Sequence, residues 1–479
     1  MSKISSPQML NPSDAVSWAS CIRRVWLDKK EKYKGVEAED KFQELVTKLG
    51  LDHEELVRQG LSKSFTVREA NSLENTQALM DAGVDVIYQA QLVDPESGIE
   101  GRPDFLIRNE SGQYQAADAK LSLTADKKAI QAQLGLYRRI LGSGLPAIVY
   151  LGNGQEESVS EKADQVASEF VADMRKILAN DHQPRVRYSH SKCRMCPYYK
   201  HCSDAFIDEE ELSLLYGIQG RAADGLEEVG ISTISQLAAF DPEDIPDVPY
   251  LKEYEKKKRA VLQAKSWLTG EVYPLGEVSL PDGYWVHFDI EDNPLTGNGE
   301  RHVYLWGFLI PDYRNDNFEY VWTDDASEDE QGWLLFLEKI KKYRAEHRNL
   351  VVAHYSSHER STISSYASRY GMEDNETVQY LLGENSPLFD MQKPVLEKFV
   401  LPLQGYGLKD ICKHKDLVNF QWEDDESGSQ WSVVQFHRFL HEPDPLVKSR
   451  LKSDILGYNR DDVIATRRLE EWLRDVGFK

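Results

Sequence analysis

The chain has 479 residues, 41% hydrophobic and 29% charged, with a net charge of -23. That length holds about two to four domains, and the acidic balance excludes a protein that coats phosphates over its whole surface. The amino terminus MSKISSPQML carries no basic-then-apolar leader and no apolar stretch reaches membrane-spanning length, so a cytoplasmic chain with no membrane partner is expected.

Taken from the amino terminus, SWASCIRRVWL carries Cys21 with a local basic group, Arg23, Arg24, Lys29 and Lys30. KKEKYKGVEAEDKFQELVTKL then predicts a helix in which Glu39 ends a G-x3-E string begun at Gly35. IEGRPDFLIRNESGQYQAADAKLSL predicts a β-hairpin, with NESG as its turn. Asp104 belongs to its first strand. Asp118 and Lys120 are two apart on the second and therefore share a face. Two carboxylates suit a hard cation such as Mg2+ or Mn2+, and a lysine beside them can orient the attacking water and screen a scissile phosphate. KKAIQAQLGLYRRIL predicts an amphipathic helix with Gln133 and Tyr137 four apart on one face. Lys127, Lys128, Arg138 and Arg139 in this stretch form a second basic group that could grip phosphates.

SKCRMCPYYKHC sets Cys193, Cys196 and Cys202 as C-x2-C-x5-C. With Cys21 they number the four thiolates that an iron–sulfur cluster or a structural zinc requires. A reducing cytosol disfavours disulfides. Spacing alone leaves iron and zinc open. Cys412, with no cysteine neighbour in KDICKHKDL, reads as a packed thiol.

The order G-x3-E, GRPD, D-x-K, Q-x3-Y closely resembles RecB-like nucleases of the PD-(D/E)xK superfamily, and the cysteine placement resembles their iron–sulfur subclass. The resemblance implies that Glu39, Asp104 and Asp118 are metal ligands and that Lys120 is the catalytic lysine. It makes Gln133 and Tyr137 active-site or strand-positioning residues, and the four cysteines holders of a structural 4Fe-4S cluster. It covers most of residues 15–205.

From about 206, LSLLYGIQGRAADGLEEVGISTISQLAAF predicts helix, GIQG turn and helix, then a helix capped by Thr233. Small glycine turns between short helices resemble helix–hairpin–helix modules, which bind phosphate without reading sequence. A plain helical spacer fits as well. KEYEKKKRAVLQAKSWL predicts a basic helix, followed by the linker EVYPLGEVSLPDG.

YWVHFDIED, HVYLWGFLI and FEYVWTD predict a three-strand meander, with Asp289 and Glu291 on one face of the first strand. LGYNRDDVIATRRLEEWL predicts a helix on which Tyr458 and Asp462 share a face. This arrangement resembles RNase H-like 3'-5' exonucleases of the DEDD group in their tyrosine-bearing variant. The resemblance implies that Asp289, Glu291 and Asp462 are ligands of a two-metal site, with Tyr458 positioning the water. In VVAHYSSHERSTI the middle acid is Glu359 where the family usually has Asp, and Tyr355 stands near the usual Asn. Asp390, in PLFDMQKPV, is the accessory candidate.

The expected fold class is therefore α/β and multidomain. A restriction-endonuclease-like mixed sheet with flanking helices occupies 1–205, a helical connector 206–280, and an RNase H-like α/β domain 281–479. The expected activity is Mg2+- or Mn2+-dependent hydrolysis of nucleic acid, with single-stranded DNA ends in repair or defence favoured and RNA possible. Two alternatives are a non-catalytic nucleic-acid adaptor for a helicase and an RNA-processing exonuclease that uses only the C-terminal site. No G-x4-GK-[ST] loop occurs, so any helicase motor would act in trans.

Overall fold

The NESG turn folds as its residues dictate. Gly112 takes φ +84°, a conformation free of penalty only for glycine, and Asn109 Oδ1 accepts the Gln113 N–H at 2.9 Å. The computed structural model describes residues 9–30, 33, 41–296, 299–311, 317–423 and 429–477. Backbone contacts divide the chain into two compact units, changing over between Val186 and Arg187.

The first unit begins with α1 (Ala15–Ser20), α2 (Ile22–Lys29) and α3 (Lys41–Ser62), followed by β1 (Val67–Glu69), α4 (Leu73–Asp81) and β2 (Val86–Tyr88). The short hairpin β3 (Leu92–Asp94) and β4 (Ile99–Gly101) precedes the expected one, β5 (Phe105–Arg108) and β6 (Tyr114–Lys120). Then come α5 (Lys128–Leu141), β7 (Ala147–Leu151), β8 (Glu156–Val159) and α6 (Glu161–Ala179). The main sheet runs β1-β2-β5-β6-β7-β8. Its β6–β7 and β1–β2 pairs are parallel and the rest antiparallel. One face is closed by α5, which buries Ile130, Leu134 and Tyr137 against Leu106, Ala116 and Val149. The other buries Phe105, Ala117 and Ile148 with Val57 and Leu61 of α3 packed on them.

The second unit opens with α7 (His190–Cys193), α8 (Tyr199–Asp208), α9 (Arg221–Glu228), α10 (Ile234–Ala239) and α11 (Tyr254–Thr269). Thr233 caps α10 in a capping box with Gln236, as its position predicts. LSLLY, expected as a helix, forms only a 3-10 turn over Leu212–Leu214. Ser213 is fully buried there with its hydroxyl on Glu211, a local bond that competes with helix propagation.

After β9 (Tyr273–Pro274) come β10 (Tyr284–Asn293), β11 (His302–Ile310) and β12 (Asn317–Trp322), the expected meander. They are followed by α12 (Asp329–Glu346), β13 (Leu350–His354), α13 (His358–Arg369), α14 (Glu376–Leu382), β14 (Leu388–Asp390), α15 (Gln392–Lys398) and β15 (Phe399–Val400). The chain ends with α16 (Leu408–Cys412), α17 (Ser429–His441) and α18 (Pro445–Gly477). The five-stranded sheet is ordered β12-β11-β10-β13-β14. Its aromatic core (Phe288, Trp306, Phe308, Trp333, Phe336) packs on one side and the α15, α16 and α18 residues on the other.

The stretch 206–280 groups with the C-terminal strands. Gln263 of α11 donates to the Leu401 carbonyl at 2.6 Å, and Tyr406 returns a hydroxyl to Gln263 at 3.0 Å. β9, in the expected linker, pairs with β15. Arg187 fastens the start of the unit to Glu211 at 2.7 Å and Asp224 at 2.8 Å.

Candidate active sites

In the first unit β6 presents Asp118, fully buried, and Lys120 on the same face, with the ammonium 2.9 Å from Asp118 Oδ2. Asp104 stands one residue before β5 rather than on it. Its N–H donates to Asp118 Oδ1 at 3.0 Å, and its own Oδ2 accepts the Ala119 N–H at 2.9 Å. Both carboxylates are thus locked to the hairpin backbone. Burial, then the Asp118 charge, pushes Asp104 up to about 8. Burial opposes the charge on Lys120, but Asp118 and Asp104 more than offset it and hold the ammonium above the usual lysine range.

Glu54, on α3, is an acid that sequence reasoning missed. Its charge acts on Asp104 and on Lys120, and the Gln89 amide donates to it. Nothing in LDHEEL sets Glu54 apart from its neighbour Glu55; only the packing of α3 on the sheet brings it in. Glu39 lies outside the described residues. Gln133 donates to the Tyr137 hydroxyl at 3.3 Å, which donates to the Arg102 carbonyl at 3.1 Å. This pair braces the backbone just ahead of Asp104. The Tyr137 phenol is raised well above its usual range by burial, then by Asp118.

Four members of the basic groups read as a grip, Arg23, Lys29, Lys128 and Arg138, are engaged within the protein. Arg23 is buried and donates to the Pro184 carbonyl at 2.9 Å, and Lys29 pairs with Asp14 at 2.7 Å. Arg138 holds Asp164 through two bonds of 2.9 and 3.1 Å. Lys128 sits 4.0 Å over the Trp18 ring.

The cysteine positions divide between the units, Cys21 in the first and Cys193, Cys196 and Cys202 in the second. All five cysteines are outside disulfides. Cys193 Sγ accepts the Ser189 N–H at 3.3 Å, and the Cys196 N–H closes on the Cys193 carbonyl at 3.0 Å. Cys412 is fully buried, as a packed thiol should be, and burial raises its thiol strongly.

In the second unit Asp289, Glu291 and Asp462 each bring a carboxylate oxygen within 4.8 Å of the others, the only such group of metal-capable side chains among the described residues. The first two come from β10, whose bulge directly after Glu291 turns Asp292 away. Asp292 instead pairs with Arg301 and, at 3.0 Å, with His358. Asp462 comes from α18 and accepts the Trp422 indole N–H at 2.7 Å. Burial, reinforced by the neighbouring acids, raises Asp289 well above the carboxylate range. It carries Glu291 to about 8 and Asp462 to about 6. Such crowding favours neutral carboxyls until a cation compensates them.

The neighbours hold this cluster in shape. The Asn459 amide donates to Asp289 at 2.6 Å and the Ser432 hydroxyl to Glu291 at 2.6 Å. Glu359 is buried at the start of α13, its carboxylate accepts from His354 Nδ1 at 3.1 Å, and it adds its charge to that felt by Asp289. Tyr458 lies one helical turn before Asp462, and its buried hydroxyl accepts from the Lys409 ammonium at 3.1 Å. Lys409, which sequence reasoning also missed, sets a cation beside the acids; burial lowers its pKa while Asp462 works the other way. A cavity of about 610 Å³, lined by Tyr320, Trp431 and Arg460, opens beside Tyr458.

Asp390 is engaged elsewhere. Its Oδ1 accepts the Ser356 and Gln392 N–H groups at 2.9 and 3.0 Å. It thereby holds Ser356 at φ +79°, a strained conformation for serine, at the turn that leads to Glu359.

Residues 5–203 match the family model of the PD-(D/E)XK nuclease superfamily, and residues 286–474 match a model of the RNase H superfamily. No curated protein matches the chain. Among solved structures, one described as "Crystal structure of SSO0001" is 15% identical, covering 42% of this chain and 88% of that one at a TM-score of 0.26.

Proposed function

The chain joins a domain of the PD-(D/E)XK nuclease superfamily to one of the RNase H superfamily, and we propose that it hydrolyses phosphodiester bonds at single-stranded nucleic-acid ends, DNA preferred. The reading rests on one observation above the others: three carboxylates from two distant segments converge within 4.8 Å beside Tyr458. Carboxylates of this kind hold Mg2+ or Mn2+, which when bound activates water and screens the phosphate.

In the second unit Asp289, Glu291 and Asp462 would hold the ions, with Glu359 completing the acid set. Asn459 and Ser432 fix the carboxylate orientations. Tyr458, held by Lys409, would orient the attacking water. In the first unit Asp104 and Asp118 would hold an ion, with the Glu54 charge acting on both Asp104 and Lys120. Lys120 would hold a water and neutralise the phosphate.

The C-x2-C-x5-C run of Cys193, Cys196 and Cys202 would supply thiolates to a structural 4Fe-4S cluster, as in the RecB-like subclass that the sequence resembles. The undisulfided thiols and the amide N–H on Cys193 Sγ suit anionic sulfur. Protein purified without oxygen should be brown, whereas a colourless protein with stoichiometric zinc would refute iron.

The test compares wild type, Lys120→Ala and Asp289→Ala on labelled single-stranded DNA, duplex DNA and RNA with Mg2+ or Mn2+. Loss with Lys120→Ala alone assigns cleavage to the first site, and loss with Asp289→Ala alone assigns it to the second. A wild type that cuts none of the three substrates would leave a nucleic-acid adaptor as the function.

A further inference from the structure

A smaller cavity of about 340 Å³ in the second unit has walls from three separate stretches: His190, Arg194 and Tyr199 around α7 and α8, Trp267 on α11, and Gln404 with Asp410 around α16. Its size falls near the lower end of small-molecule sites, ~300–1,000 Å³. The walls are fixed by bonds among themselves. Asp410 takes Arg194 at 2.7 Å and lies 3.6 Å from His190. Gln404 Oε1 accepts the hydroxyls of Tyr188 at 3.0 Å and Tyr199 at 3.5 Å. Gly405 packs so closely on the His190 ring that a Cβ there would overlap it.

Two groups on these walls have no such bond among the described residues: the half-buried Trp267 indole and the Gln404 amide NH2. A tryptophan left part-exposed at a cavity wall, next to a tyrosine and a planar amide, suits a flat heteroaromatic ring with polar edges. Aromatic faces stack any base, and side-chain amides pair with base edges. The charges point the same way. The Arg194 guanidinium is already matched by Asp410, whereas a phosphate site would present it unpaired.

One short helix links the cavity to the surroundings of the acid cluster. Asp410 and Lys409 are consecutive on α16; the first lines the cavity and the second reaches Tyr458. We propose that this cavity is a subsite for one unpaired base of the strand whose backbone enters the Asp289–Glu291–Asp462 cluster, which makes single-stranded nucleic acid the substrate class of that site. The proposal rests on the nuclease reading of the C-terminal domain, and its test separates the two.

A single strand carrying 5-iodouracil is photocrosslinked to the full-length wild type in EDTA, where no cleavage occurs, and the modified peptide is mapped. Steady-state cleavage of the same sequence is then compared for wild type, Trp267→Ala and Gln404→Ala. Crosslinks at Trp267 or Tyr199 are expected, with KM raised about ten-fold in Trp267→Ala, the size of one lost base stack, and kcat within about two-fold. A wild type that cleaves, with crosslinks only elsewhere and both variants unchanged in KM, overturns the subsite and leaves the nuclease reading standing. Crosslinking at Trp267 in a protein that never cleaves keeps the subsite and removes the nuclease. Because the crosslink is read on wild type, it stands even if Trp267→Ala fails to fold.

Discussion

Glu54 and Glu55 are neighbours on one helix with different surroundings. Glu55 pairs with Arg58 at 2.6 Å on the surface, whereas Glu54 adds its charge to Asp104 and Lys120. Glu54→Gln should therefore cost first-site cleavage about 100-fold, the upper end of what even indirect metal partners contribute. Glu55→Gln should leave it unchanged. Steady-state cleavage by both variants in an Asp289→Ala background reads this directly, and equal activities would remove Glu54 from the site. Asp104, Asp118 and Lys120 were legible because hairpin and period-two spacing fix their face. Glu54 was not, because a helix acid shows no sign of its partners until the helix is packed.

At the scale of elements, two glycines mark where helices press on sheets or on each other. A Cβ on Gly307 of β11 would collide with the Asn459 side chain of α18, the residue that donates to Asp289. Gly307→Ala should thus lower cleavage at the second site by displacing Asn459, and measured cleavage should fall further than the melting temperature predicts. Gly135 of α5 meets the Ala163 backbone of α6 in the same way. Gly135→Ala should instead destabilise the first unit, by about 1–3 kcal/mol as overpacking does, with cleavage at the second site unaffected. A denaturant titration checks the first effect and an assay in a Lys120→Ala background the second. The helices and meander were legible from periodicity and from caps such as Thr233. LSLLY was misread because a buried serine bonding to Glu211 breaks a pattern that looks helical in isolation.

At the scale of the whole molecule, the acid clusters make stability depend on pH and on divalent ions. Burial raises Asp104 and Glu291 to about 8 and Asp462 to about 6, above an unfolded value of about 4. A raised carboxyl is favoured neutral in the fold, so its contribution is complete below the unfolded value and is lost progressively as pH climbs from about 4 to about 8. In EDTA the melting temperature should fall across that window. Mg2+ or Mn2+, which bind the ionised forms, should raise it by an increment that grows with pH. An ion-induced shift that stays flat from pH 5.5 to 8.5 would count against cation pockets. The sequence alone determined the two α/β sheets, the D-x-K and D-x-E strands and the Y-x3-D helix, because spacing along a strand or helix fixes which side chains share a face. Only the tertiary structure decided that Asp462 reaches Asp289 and Glu291, that Asp390 caps a turn instead, and that Glu54 and Lys409 sit beside the acids. Those outcomes depend on which surfaces pack together, and no local spacing encodes that.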